Sequence, residues 1–244
     1  MNAIFFTLFV CAILVYFQTG SKPCVLYKGK HDVTSFNREF EKIKNVPIDR
    51  VGVYSVDPTA NGTWANKFVR ASAYEIFSHD SAHTKLQYKT DCLKKNPIDA
   101  LVRRMFPVGH HTSLRVCSPN WEFKVHFDCS HNRTICLRGS KRFLMFEMYG
   151  HPSENQILDA IMHKTNEETK HILDTYGIRH YEYLLEEGDE LYMKPKMYHR
   201  VESDESSIIL GNVEKIDDLE NCTKKFDSIW PRQSKICENN KCLD

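Results

Sequence analysis

Apolar residues recur along this chain with two periods, and each change of period marks out an element. In Asp32–Lys44, Phe36, Phe40 and Ile43 fall at i, i+4 and i+7, one face of a helix, and Pro47 stops it. Val51–Val56, VGVYSV, predicts a strand. Trp64–Phe77 scatters aromatics through a polar background and is assigned to helix. Asn96-Pro97 opens another helix, with Asn as cap and Pro at the first helical position; Ile98, Leu101, Val102 and Met105 give its apolar face. Trp121–Phe127 reads as extended, and after a turn at Gly139 the run Arg142–Phe146 is a hydrophobic strand. Pro152–Gly177 returns to helix: Ser153 with Gln156 has the form of a capping box, and Ile157, Leu158, Ile161 and Met162 make a stripe. That pattern fades through Asn166–Lys170, resumes at Ile172-Leu173 and closes at Gly177. Either the inserted helices shape access to a site or they cover the outside of a sheet. A Gly188-Asp189 turn then feeds a second extended run that ends at His199.

The first twenty residues follow a third pattern. Met1–Gly20 is apolar through residue 17, carries no charge and is short for a membrane span. It is expected to be a cleaved signal peptide, with the mature chain beginning near Ser21. Cys11 leaves with it, and the other eight of the nine cysteines form an even set: Cys24, Cys92, Cys117, Cys129, Cys136, Cys222, Cys237 and Cys242. In a secretory chain that favours disulfides over free thiols. No Cys-x-x-Cys pair supports a zinc site. Sequons at Asn61 and Asn221 fit the same compartment, secreted or in the endoplasmic reticulum lumen. The formal net charge of +1, with no basic stripe alternating with aromatics, argues against nucleic acid as a partner. No stable membrane association is expected once the leader is removed.

The candidate chemistry lies in Trp121–Leu144. His126 and Asp128 are two apart in an extended segment, so imidazole and carboxylate share a face while Phe127 turns away. An isolated His-x-Asp is weak evidence, and two ligands hold a metal loosely. His199, far downstream, is the best third. Two histidines and one aspartate form the facial triad of non-haem Fe(II) oxygenases, which leaves positions open for cosubstrate and O2. Lys141, after the Gly139 turn, can hold the far carboxylate of a keto-acid cosubstrate, and Asn132 supplies a neutral amide between ligands and lysine. His79 and His83 read better as solvent-facing histidines, and His110 and His111 as polar residues of a loop, than as metal ligands.

HFDCSHN, GSKRFLMF and EEGDELYMKPKMYH, in that order and approximate spacing, resemble the JmjC branch of the cupin superfamily, the Fe(II)- and 2-oxoglutarate-dependent oxygenases. The resemblance covers roughly Met105–Val213. It implies that His126, Asp128 and His199 bind Fe(II) as the catalytic triad. It also implies that Lys141 binds the C5 carboxylate of 2-oxoglutarate, and that Asn132 and Asn212 line the cosubstrate pocket. Asn132 belongs to a third sequon, which would then be folded away from glycosylation. Two positions depart from the family pattern: Pro195 stands one place late, with only Tyr198 aromatic before His199, and Phe123 stands where many members carry a hydroxyl.

The expected fold is mainly β, a double-stranded β-helix (jelly roll) closed on itself, with N-terminal helices and a helical insertion. The expected division is a signal peptide at 1–20, a helical or mixed region at 21–104 packed on the barrel, a JmjC-like core at 105–215 and a cysteine-containing tail at 216–244. The implied activity is hydroxylation of a protein or small-molecule C–H, or demethylation where the carbon bears nitrogen. The rival is a secreted cupin-fold binding or structural protein without catalysis.

Overall fold

The computed structural model describes residues 24–45, 47–56, 64–72, 85–89, 97–106, 112–117, 119, 121–214 and 222. The leader, both sequons at Asn61 and Asn221, His79, His83, His110, His111, Cys92, Cys237 and Cys242 lie outside the described residues.

Twelve strands among the described residues pair antiparallel into two sheets. They are β1 (Cys24–Tyr27), β2 (Pro47–Val56), β3 (Trp64–Ser72), β4 (Lys85–Lys89), β5 (Thr112–Cys117), β6 (Trp121–Phe127), β7 (His131–Arg138), β8 (Lys141–Phe146), β9 (His180–Leu185), β10 (Glu190–Met193), β11 (Tyr198–Ser203) and β12 (Ser207–Glu214). The large sheet runs β1-β10-β7-β12-β5-β4-β2-β3 and the small one β6-β11-β8-β9. Alternation along the strands sorts side chains between three cores. On β7, Ile135 and Leu137 pack with Phe36 and Phe40 of α1 (Thr34–Ile43) and with Leu101 and Val102 of α2 (Pro97–Met105). Cys136, between them in sequence, faces the other way, into an inter-sheet core with Phe143, Met145, Leu191, Met193, Val201 and Ile209.

The third core lies on the far side of the small sheet. Val125, Phe127, Leu144, Phe146 and Tyr198 meet Ile157, Leu158 and Ile161 of α3 (Glu154–Ile161) and Leu173 of α4 (Asn166–Thr175). Four layers result, helix on sheet on sheet on helix. The inserted helices therefore cover the outer face of the small sheet, back to back with the inter-sheet space.

Several expectations change. The sheets do not close into a barrel: among the described residues no strand of one pairs with a strand of the other. Facing sheets that enclose Phe and Met side chains stand about 10 Å apart, twice the spacing of hydrogen-bonded strands. Trp64–Ser72 is a strand, not a helix, paired with β2 from Val56↔Trp64 to Pro47↔Ser72. Its Trp, Phe and Val suit a pleated surface, and a partner strand distant in sequence decides the outcome. Ser153 makes no side-chain cap on α3. The capping box belongs to α4, where Thr165 and Glu168 exchange both bonds just where the apolar pattern fades.

Cysteine pairing differs as well. Cys129 joins Cys222, whereas Cys24, Cys117 and Cys136 are buried free thiols. They lie on three different strands of the large sheet and serve as small apolar groups in the inter-sheet core. Burial pushes the Cys24 and Cys136 thiols up to about 12. Among the described residues no helix is long and apolar enough to cross a membrane.

Candidate metal centre

β6 and β11 are neighbours, and their register sets His199 directly opposite His126. The rings stand 4.1 Å apart between centroids. Asp128 follows at the end of β6, and one ligand atom from each of His126, Asp128 and His199 lies within 4.8 Å of the others. A backbone bond from Lys196 N to Asp128 O, 2.8 Å, ties the approach to β11 against this end of β6. Lys196 has a positive φ of 65°, so the chain turns sharply just before His199.

Both imidazoles are prepared for a metal in the same way. His126 Nδ1 lies 2.8 Å from Lys124 O, and His199 Nδ1 lies 3.0 Å from Met197 O. A carbonyl oxygen only accepts, so each Nδ1 carries a proton and donates it, which leaves Nε2 as the ring nitrogen that can face a metal. Such backing bonds fix the tautomer and aim the ring of a metal ligand. Loss of solvation, and then the neighbouring His199, hold His126 well below the usual histidine range, so its ring stays neutral. Burial alone would raise Asp128. The two histidines and the amide of Asn132 outweigh it and hold the carboxyl below its usual range, hence ionised. Asn132 Nδ2 donates to Asp128 Oδ2 at 2.9 Å.

Two imidazoles and one carboxylate brought together by neighbouring strands are the donor set of a 2-His-1-carboxylate site, and they fit a divalent transition metal. His199 is buried, but the Asp128 side chain keeps 34% of its surface exposed, so solvent reaches the site on that side. Phe123, two positions along from the histidine pair at Val201, packs its ring against His126 at 4.2 Å.

Lys141 opens β8 and is buried. Loss of solvation holds its ammonium below the usual lysine range, and its Nζ donates to Cys117 Sγ at 3.0 Å. Asn132 is buried on β7. Asn212 is placed on β12 opposite Arg133 and Thr112, and the residue that pairs with Asn132 is Val213. The Gly188-Asp189 turn holds the N-terminal segment. Asp189 accepts from Gly29 N at 2.8 Å and from Lys28 Nζ at 2.8 Å, and Glu190 accepts from Lys30 and His31, each at 2.7 Å. The meeting of Cys117 with Lys141 and the placing of Arg115 were not legible in the sequence: both residues lie on the side of β5 that faces the space between the sheets.

No protein-family model matches the chain, and no curated protein matches it in sequence. Among solved structures it is similar to YcfD, a ribosomal oxygenase from Escherichia coli, in complex with cobalt and succinic acid. The identity there is 16%, the TM-score 0.47, and the match covers 84% of this chain and 51% of that one. A second structure of YcfD gives 17%, 0.46, 86% and 52%. The chain thus spans about half the length of that protein.

Proposed function

We propose that this protein is an Fe(II)- and 2-oxoglutarate-dependent oxygenase of the JmjC type, its two sheets forming the double-stranded β-helix of that family. One observation carries the reading: His126, Asp128 and His199 converge at the mouth of the inter-sheet space, with both Nδ1 atoms tied to backbone carbonyls. A buried cation, Lys141, on the same inner face as His199 supports it. An ammonium in a dry interior is costly unless an anion joins it, and a keto acid brings one.

In this reading His126, Asp128 and His199 hold the iron and Asn132 steadies Asp128. Bound there, the iron supplies the oxidising chemistry of O2 activation coupled to loss of CO2 from the keto acid. The chain does the rest. Lys141 orients the far carboxylate, and the apolar walls Phe143, Met145, Val201 and Ile209 exclude water. The Asp128 side, the more exposed one, admits a substrate C–H. Hydroxylation of a protein or small molecule in a secretory compartment is the reaction class, supported by the apolar leader and the sequons.

One observation favours a second reading, a binding protein without turnover: the Lys141 ammonium is already engaged by Cys117. The test is succinate formation from 2-oxoglutarate by Fe(II)-loaded protein, comparing wild type, Asp128→Ala and Lys141→Ala. Succinate from wild type, above the Asp128→Ala background, is expected. Metal binding with no succinate and no 2-oxoglutarate binding would leave the binding-protein reading standing.

A further inference from the structure

Two nucleophiles meet between the sheets. Cys117 ends β5 on the large sheet, Lys141 opens β8 on the small one, and Lys141 Nζ donates to Cys117 Sγ at 3.0 Å. The thiol is fully buried and the lysine 2% exposed. Among the described residues no backbone pairing joins the two sheets, so this contact bridges them through side chains alone. The chemistry proposed above gives Cys117 no task.

The other two buried thiols are placed differently. Cys136 Sγ donates to Gly139 O at 3.1 Å, and Cys24 takes a backbone hydrogen bond at Lys194. Burial pushes both thiols up to about 12, which makes them inert. Among the described residues Cys117 is the free thiol that receives a hydrogen bond from a lysine side chain.

We propose that Cys117 and Lys141 form a redox modification site, in which hydrogen peroxide joins the two side chains through a sulfur–nitrogen bond, a sulfenamide. Peroxide first gives one oxygen to sulfur: its O–O bond breaks, the thiol becomes a sulfenic acid and one water leaves. The neutral amine then attacks that sulfur. The S–N bond forms, the S–O bond breaks, and the hydroxyl departs with an amine proton as a second water. Sulfur is oxidised by two electrons and the peroxide reduced by two. Burial serves the second step in two ways. It holds the Lys141 ammonium below the usual lysine range, which favours the free amine, and it keeps outside thiols from the sulfenic acid while an amine stands in contact. The bond staples β5 to β8 and removes the cation. In the reading above, on which this consequence rests, oxidised protein loses its hold on the keto acid.

The experiment treats folded protein with hydrogen peroxide, removes the peroxide with catalase, alkylates free thiols and digests without reductant for mass spectrometry. The expected product is the Cys117 peptide joined to the Lys141 peptide, lighter by two hydrogen atoms than their sum and released by dithiothreitol. Cys117→Ser is expected to give none. The unfolding midpoint of oxidised wild type is expected to rise by about 5–10 °C, the weight of closing a loop of this length in a chain of this size, with no rise in Cys117→Ser. Cys117 recovered on a separate peptide, as thiol or as a higher acid, overturns the proposal, and so does a joined pair of any other mass. The wild-type masses decide this even where the Ser variant does not fold. In a separate titration of Mn(II)-loaded protein, oxidation is expected to weaken 2-oxoglutarate binding by about tenfold to a hundredfold, the loss of a charge-assisted bond. Equal binding before and after oxidation overturns the consequence drawn for the site. No binding by untreated protein counts against the cosubstrate reading, and the cross-link is then judged on the masses alone.

Discussion

Asn132 on the large sheet donates to Asp128 at the end of β6 on the small sheet, 2.9 Å away, and so links the two sheets at the metal end. The bond takes one lobe of Asp128 Oδ2, adds to the two histidines in keeping the carboxyl below its usual range and limits its rotation. An amide in that place serves where a carboxylate would repel.

Asn132→Ala is expected to weaken Mn(II) binding by about tenfold to a hundredfold, as losses in the outer shell of a metal site do. His126→Ala and His199→Ala remove ligands and are expected to lose binding almost entirely. Equal Mn(II) affinity in wild type and Asn132→Ala, by anaerobic titration, would refute the role given to the amide. Mass spectrometry of protein expressed through a secretory pathway should find no glycan on Asn132, which is 2% exposed.

Lys141, which the proposed function assigns to the cosubstrate, is a buried cation that works against stability. In the unfolded chain a lysine keeps its proton to about pH 10.4; burial makes the folded protein release it earlier. The folded state thus binds fewer protons across the window below pH 10.4, and stability contributed by this group rises with pH through it. Below the window the folded state carries the charge in a desolvated place. At pH 7 Lys141→Met is expected to raise stability by about 1–4 kcal/mol, the range for replacing buried charge with apolar volume. It should also flatten the rise toward high pH. Urea unfolding at pH 7 and pH 10 checks both, and a less stable Met variant would contradict the account.

Gly139 and Gly177 both have a positive φ, 71° and 67°. A Cβ on Gly177 would meet nothing within 4 Å, but one on Gly139 would fall 2.2 Å from Ser206 O, a backbone atom that cannot swing aside. Gly177→Ala is expected to cost about 1 kcal/mol of left-handed strain. Gly139→Ala is expected to cost clearly more and, because Gly139 leads into Lys141, to weaken 2-oxoglutarate binding as well. Equal unfolding midpoints for the two variants would argue against it.

Cys222 is buried among the residues under α3 and α4, and its bond to Cys129 closes a separation of 93 residues next to the ligand Asp128. Cys222→Ser is expected to cost about 2–5 kcal/mol. Thiol titration should find Cys24, Cys117 and Cys136 silent in native protein and reactive after denaturation without reductant. Absence of any reactive thiol in denatured, unreduced protein would mean that these three are paired.

Ile161→Ala, in the core beneath the inserted helices, is expected to cost about 2–5 kcal/mol and to leave Mn(II) affinity unchanged. That follows from α3 packing on the side of the small sheet away from the metal. A parallel loss of metal binding in the folded variant would give the insertion a part in the site.

Local chemistry was legible along the chain. Phe36 and Phe40 at helical spacing placed α1, Pro97 started α2, and the His126/Asp128 pair with a distant His199 marked the ligands, because period and residue type are properties of short stretches. What needed the tertiary structure was everything set by partners distant in sequence. Trp64–Ser72 became a strand because β2 was there to pair with it, and the apolar stripe of α3 could not say which face of which sheet it would cover. Eight cysteines counted even, yet Cys24, Cys117 and Cys136 stayed apart on separate strands, since only spatial proximity makes a disulfide. Arg115 is the sharpest case. Nothing in its local sequence set it apart from an ordinary polar position, because alternation names two faces without saying which one meets water. Only the arrival of the small sheet, with Lys141 on it, turned that face of β5 into one side of the inter-sheet core, where Cys117 meets Lys141.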